Sequence, residues 1–252
     1  MKSFPATREF LATILLCATI CEAAASACSF EPQGEGRVSA IIDARSFRMD
    51  DGREVRLAGV EVLGDGPAAL ASLLAGQAVT LRGETDAPDR YGRQPAFVFL
   101  DSSDRPVQTM LLERGAALAS GTVADKACAA ELAAAEAAAR QSKRGLWVGS
   151  AAIKNAESPD DILARVGQFT VVEGKVLSVR QAGTVTYLNF GRRWTRGFAV
   201  TISRRALALV EAAGMSVKAL ENRRIRVRGV IEARAGPRLE VLRVGQIELA
   251  GP

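Results

Sequence analysis

The chain contains no histidine. That absence excludes Ser-His-Asp hydrolysis, Cys-His proteolysis and helical zinc motifs built on a His pair. Any chemistry must therefore run on carboxylates, arginines, hydroxyls or a hard metal ion. Cysteine is scarce, with four among 252 residues. Charge of one sign is also in short supply: 33 Lys and Arg face 28 Asp and Glu, a net charge of +5 and a pI near 9.3. Composition alone thus gives only a weak pull toward nucleic acid or an anionic surface. What is present is globular in kind. With 48% apolar and 24% charged residues, the chain suits one large domain or two small ones.

Lys2 and Arg8 precede an apolar run from Phe10 to Ile20, and small residues then lead to Ala25-Ser26-Ala27. The run is too short to span a bilayer. Charge, apolar core and A-x-A order read as a signal peptide over residues 1–27 cleaved after Ala27, with a buried N-terminal helix as the alternative. Secretion or a periplasmic location follows. Cys17 and Cys21 would leave with the signal, so Cys28 and Cys128 are expected to bridge in an oxidising compartment. In the chain-entropy model a loop of that size contributes about 4–5 kcal/mol. The competing reading makes Cys28 the lipidated first residue of a lipoprotein, although Ala25 stands where such a signal usually has Leu.

Short β-branched runs begin at Gly36. Val38–Ile42, Ser46–Met49 and Val55–Val60 read as strands, with Asp51-Gly52 as a hairpin turn. Gly66-Pro67 opens an Ala- and Leu-rich helix ending near Gly76, and Ala78–Arg82 and Pro95–Leu100 are two further strands. Five strands with an inserted helix suit a Greek-key barrel of the oligonucleotide-binding (OB) type. Pro106–Leu118 and Lys126–Lys143 are expected helices, the second rich in alanine and stopped by Gly145. Residues 149–166 are polar and read as a linker. A second β-rich set follows over 167–250: Phe169–Val179, Val185–Phe190, Phe198–Ile202, Ile225–Glu232 and Leu239–Leu242, with a helix from Ser203 to Ala213 capped by Ser203. The halves echo each other, Glu35–Val38 against Glu173–Val176 and Val55–Glu61 against Ile225–Glu232, though alternating strands with glycine turns also produce such echoes by chance.

Arg56 lies within the apolar strand Val55-Arg56-Leu57-Ala58-Gly59-Val60, and Arg93 closes Asp89-Arg90-Tyr91-Gly92-Arg93. Arginine presents a fixed fork of donors matched to phosphate oxygens, so a pair could stabilise charge developing in phosphodiester cleavage. A rim arginine paired with Asp43 or Glu61 is the structural alternative for Arg56.

Taken with Leu111-Leu112-Glu113-Arg114-Gly115-Ala116-Ala117 and Arg144-Gly145-Leu146-Trp147, these motifs resemble, in that order, the thermonuclease or staphylococcal nuclease family, over 36–148. The resemblance implies a mixed α and β, mostly β, architecture: a five-stranded OB barrel with three helices, joined here to a second, OB-like barrel. It implies calcium-dependent hydrolysis of DNA and RNA. The family's two phosphate-holding arginines fall on Arg56 and Arg93. Its metal-binding loop is replaced by Asp43-Ala44-Arg45-Ser46, which puts a cation at a ligand position, and its Asp-x-Pro-Glu becomes Glu61-Val62-Leu63-Gly64. Asp43 and Glu61 are therefore the remaining candidate calcium ligands. Gly64 stands at the general-base position, with Asp65 as a possible substitute. Tyr91 and Arg90 match the family's nucleotide-contacting positions, whereas Ala119-Ser120-Gly121-Thr122 lacks its aromatic.

The segment from Gly167 to Leu249 resembles a C-terminal module of exported members of the family. Its Tyr187, Phe190, Trp194 and Phe198, interleaved with Arg192, Arg193 and Arg196, could stack bases and neutralise phosphates. The favoured reading makes Tyr187, Phe190 and Phe198 barrel core and the arginines a solvated hairpin tip. The expected function is an exported nuclease-like module, non-catalytic or impaired, that binds single-stranded DNA, RNA or another polyanion weakly. The alternatives are a working nuclease using Ca2+ and an envelope scaffold for protein contacts; no cofactor is expected unless the protein is active. The sequence leaves the oligomeric state open.

Overall fold

The computed structural model describes residues 26–63, 66–149, 152–193 and 195–251. Most of the expected signal segment, Gly64, Asp65 and Trp194 lie outside the described residues.

The first unit is built from β1 (Pro32–Asp43), β2 (Ser46–Met49), β3 (Glu54–Leu57), β4 (Val60–Val62), α1 (Gly66–Leu74), β5 (Ala78–Arg82), β6 (Gln94–Leu100), α2 (Val107–Glu113), β7 (Ala117–Ala119) and α3 (Lys126–Gln141). Strands β1-β2-β3-β6-β5 close into a barrel. Alternation decides which side chains fill it: Phe47 and Met49 in β2, Val55 and Leu57 in β3, and Val79 and Leu81 in β5 are buried. Asp125 caps α3, its carboxylate accepting the Cys128 N–H at 2.8 Å. Cys128 in turn forms the expected disulfide with Cys28, both fully buried.

Two expectations are corrected here. The single strand over Val55–Val60 is broken at Gly59, which adopts φ +77, and a side chain there would crowd Val123, Leu132 and Phe97. The helix expected to reach Leu118 ends at Glu113. Gly115 turns the chain at φ +66, and residues 117–119 become β7, paired with β4 through Val60↔Ala119. Gly115 also packs directly on the Arg144–Gly145 backbone, and the Leu146 N–H reaches the Gly115 carbonyl at 2.8 Å. The Arg-Gly pairs 114–115 and 144–145 are thus two halves of one backbone contact.

The second unit contains β8 (Ile153–Asn155), α4 (Pro159–Leu163), β9 (Phe169–Lys175), β10 (Ser178–Ala182), β11 (Val185–Asn189), β12 (Ala199–Ser203), α5 (Arg204–Ala212), β13 (Arg224–Ala233), β14 (Pro237–Val241) and β15 (Ile247–Leu249). The stretch read as a linker is therefore not free chain. β8 pairs in parallel with β9, and Ala156 and Ile162 are buried in the second core. Polar residues such as Asp160 and Asp161 hid this, because one fully buried side chain in a short helix leaves no periodic signal.

Sheet order in this unit is β10-β11-β12-β14-β13-β9, with β12 and β14 parallel, as β3 and β6 are in the first barrel. Strands β9 and β10 are one bent segment: the Val176 N–H bonds the Arg223 carbonyl and the Leu177 N–H bonds the Asn189 carbonyl. The segment passes from one neighbour to the other and carries the sheet round on itself, in OB fashion. In the first barrel the Val38 N–H bonds the Gln77 carbonyl, the residue just before β5, as Arg223 is the residue just before β13. The echo between Glu35–Val38 and Glu173–Val176 is therefore structural. The echo between 55–61 and 225–232 is not, because β3 and β13 are the third and fourth barrel strands of their units.

The barrels meet at a shared apolar cluster of Leu118, Ala139, Trp147 and Val171. Beside it, Arg228 donates to Glu136 at 2.8 Å and to the Ala119 carbonyl at 3.0 Å, with both side chains almost fully buried. Among the described residues no helix is long and apolar enough to cross a membrane.

Candidate phosphate-binding cleft

The β1–β2 turn sets one wall of a cleft of about 290 Å³. Asp43 accepts the Arg45 N–H at 2.8 Å, a local turn that commits one of its carboxylate oxygens to the backbone. Arg45 then extends across to β4 and forms an ion pair with Glu61. Burial, together with the neighbouring Arg56, pushes its pKa down to about 10, with Asp43 pulling the other way. At neutral pH the group remains a cation.

Arg56 sits opposite Ser46 of β2 and Pro95 of β6, on the outward face of β3, because Val55 and Leu57 take the barrel interior. It lines the same cleft as Arg45 and Glu61. Among the described residues it forms no ion pair: Glu61 is taken by Arg45, and Asp43 acts on it only through its field. Partial burial and the charge of Arg93 lower the Arg56 pKa. Two like charges are thus held close enough to repel, an arrangement that an incoming anion relieves.

Arg93 is gripped from below. The Asp89 carboxylate receives its Nη2 at 2.7 Å and its Nε at 3.0 Å, and also caps the Tyr91 and Arg93 N–H groups. The hydrogen bond from Arg93 holds the Asp89 pKa down to about 2. Tyr91 is well exposed, with the guanidinium groups of Arg90 and Arg93 over its ring at 4.8 and 4.9 Å. Arg90, Tyr91 and Arg93 therefore form one basic and aromatic knob, while Arg45, Arg56 and Glu61 form the adjoining cleft. Asp43 is exposed at its edge.

Sequence reasoning missed part of the lining. Glu84 and Thr85, from the loop after β5, face the cleft with Ser120 and Thr122. Glu84 accepts the N–H groups of Ala124 and Asp125 at 2.9 and 3.0 Å, which ties the loop to the start of α3. No local motif marks these residues, since only barrel closure brings them to Arg56. Among the described residues no group of three or more Asp, Glu or Cys is placed to hold a metal ion.

Residues 66–149 match the family model of the staphylococcal nuclease homologue. The match covers Arg90, Tyr91 and Arg93, whereas Asp43, Arg45, Arg56 and Glu61 lie before it. No curated protein matches the chain. The matched segment supplies two strands of the closed barrel and its three helices, and the chain thus carries a domain of the staphylococcal nuclease homologue family.

Proposed function

We propose that the first barrel is an exported phosphodiester-binding module that no longer hydrolyses its ligand. One observation carries this reading: the Arg45 guanidinium is paired with Glu61, at the position where the family resemblance expects calcium and its carboxylates. Calcium requires several oxygen ligands, preferably anionic, and the described donors do not suit it. Asp43 is partly spent on its own turn, and Glu61 is already paired with a cation. Phosphate gripping fares better. Arg56 faces the cleft without an ion-pair partner among the described residues, and Arg93 is oriented beside it by Asp89. Water activation has no comparable support, since the general-base position is Gly64.

Export is supported by the buried Cys28–Cys128 bridge, which suits an oxidising compartment. The bridge also argues against acylation of Cys28, because its sulfur is already bonded. Ser26 and the Ala27 N–H hydrogen-bond Glu131 at 2.7–3.1 Å. Cleavage after Ala27 would remove these contacts together with the Ser26 hydroxyl that accepts the Cys28 N–H at 3.1 Å.

The test is hydrolysis and binding of denatured DNA by the purified chain, with millimolar calcium and with chelator, beside Arg56→Ala. The expected result is no cleavage in either condition, and binding that weakens steeply with salt and falls further in Arg56→Ala. Calcium-dependent cleavage lost in Arg56→Ala would mean that a different carboxylate, such as Asp65, has rebuilt the site. Neither cleavage nor binding would point to a scaffold instead.

A further inference from the structure

Two sets of arginines in the second barrel contrast. Arg224, Arg226 and Arg228 face Glu173, Glu248 and Glu136, and each is paired with at least one of them. They are internal charges of the fold. Arg180, Arg192, Arg193, Arg196 and Arg238 lie elsewhere, and among the described residues none of the five pairs with a carboxylate.

Two of them flank one aromatic ring, and the other three lie on the connection that follows its strand. Thr186 and Leu188 are buried, so Tyr187 between them points off the outer face of β11. Arg180 is its cross-strand partner on β10, and the Arg238 guanidinium stands over the ring at 5.5 Å. The other three arginines are exposed on the β11–β12 connection. That connection is held in shape: the Gly197 and Arg196 N–H groups both bond the Arg193 carbonyl, at 2.7 and 3.0 Å. Gly191 and Gly197 pack backbone to backbone, so a Cβ on either would stand 3.0–3.1 Å from the other's Cα, and Gly236 rests on the carbonyls of Thr195 and Gly197. Two carboxylates lie nearby: Glu232, the cross-strand partner of Arg238, pairs instead with Arg234 at 3.4 Å, and Glu240, in register with Thr201, makes no ion pair among the described residues.

Phe190 and Phe198 are core residues, with rings 5.1 Å apart, as the favoured sequence reading expects. Tyr187 is not, and this difference carries the proposal. An OB barrel takes oligonucleotides on the face of its second and third strands, here β11 and β12. Unneutralised guanidinium groups suit phosphates, and an outward aromatic ring between them suits an unpaired base. We infer that this face is a second nucleic-acid site, selective for single strands and separate from the Arg56 cleft. It does not depend on what the first barrel does.

The test uses fluorescence anisotropy of the whole chain with labelled oligo(dT), with a blunt duplex, and with vesicles of phosphatidylglycerol in phosphatidylcholine. Oligo(dT) should bind more tightly than the duplex. Tyr187→Ala should weaken it by roughly five- to a hundredfold, while Tyr187→Phe, which keeps the ring, should bind like the parent. Replacing Arg192, Arg193 and Arg196 with Ala together should lower the salt slope by about 2, at roughly 0.7 per lost phosphate contact on a single strand. Because those three are exposed, this variant decides the matter if Tyr187→Ala fails to fold. The Arg56→Ala, Arg93→Ala double variant should retain its dependence on Tyr187. The proposal is overturned if the second-barrel variants bind oligo(dT) like the parent, whether Arg56 and Arg93 then carry all the binding or the arginine variants lose only vesicle binding. Loss confined to the second-barrel variants would instead sink the reading of the first barrel and leave this one standing.

Discussion

Arg45 is the residue on which the first barrel's chemistry turns. Its backbone N–H holds one oxygen of Asp43 and its side chain pairs with Glu61, so it engages both carboxylates that could otherwise serve a hard cation. The guanidinium neutralises Glu61 internally and adds a third positive group near Arg56 and Arg93. The substitution Arg45→Asp reverses both effects. It should create calcium binding where the parent has none, seen as a calcium-dependent rise in melting temperature. At a calcium concentration a hundredfold above the dissociation constant, the gain is about 2.7 kcal/mol. If calcium already raises the melting temperature of the parent, the metal site does not depend on position 45.

Among the elements, the junction between α2 and β7 is the most tightly specified. Gly115 holds a left-handed conformation and lies against the Arg144 carbonyl, so both its dihedral angles and its missing Cβ are required. Gly76 offers a comparison, with φ +69 and nothing near the place a Cβ would occupy. Gly76→Ala should cost about 1 kcal/mol from backbone strain alone. Gly115→Ala should cost about 2 kcal/mol or more, because the Arg144–Gly145 segment must also move. Urea unfolding of the two variants measures the difference, and equal costs would show that the contact between the two Arg-Gly pairs contributes nothing.

At the scale of the whole molecule, the two barrels are joined through charge as well as apolar contact. Arg228 and Glu136 are almost completely removed from water, so neither tolerates loss of its partner. Glu136→Gln and Arg228→Met should each cost about 3–5 kcal/mol, whereas the double variant should cost clearly less than their sum. Calorimetry of the single variants should also resolve separate melting of the two units, since the pair lies at their interface. Additive costs with a single transition would mean that the apolar cluster around Trp147 joins the barrels without it.

Much of this architecture was legible from local pattern. Strands β2 and β5 follow from alternation, α3 from its alanines, the α5 cap from Ser203, and the two candidate phosphate arginines from motifs that keep their order along the chain. Those features depend on neighbours a few residues apart. Residues 149–166 read as a linker because β8 pairs with a strand eighteen residues on and α4 packs on β13 and β14, and residues 117–119 read as helix because their pairing partner lies nearly sixty residues earlier. The same limit applies to function. Sequence alone puts Arg45 in the turn after β1, but only the folded barrel pairs it with Glu61, and only sheet register turns Tyr187 outward beside Arg180 and Arg238 while Phe190 and Phe198 turn in. Local pattern follows from backbone geometry and side-chain polarity over a few residues, whereas charge pairing and exposure are set by which distant segments close around a site.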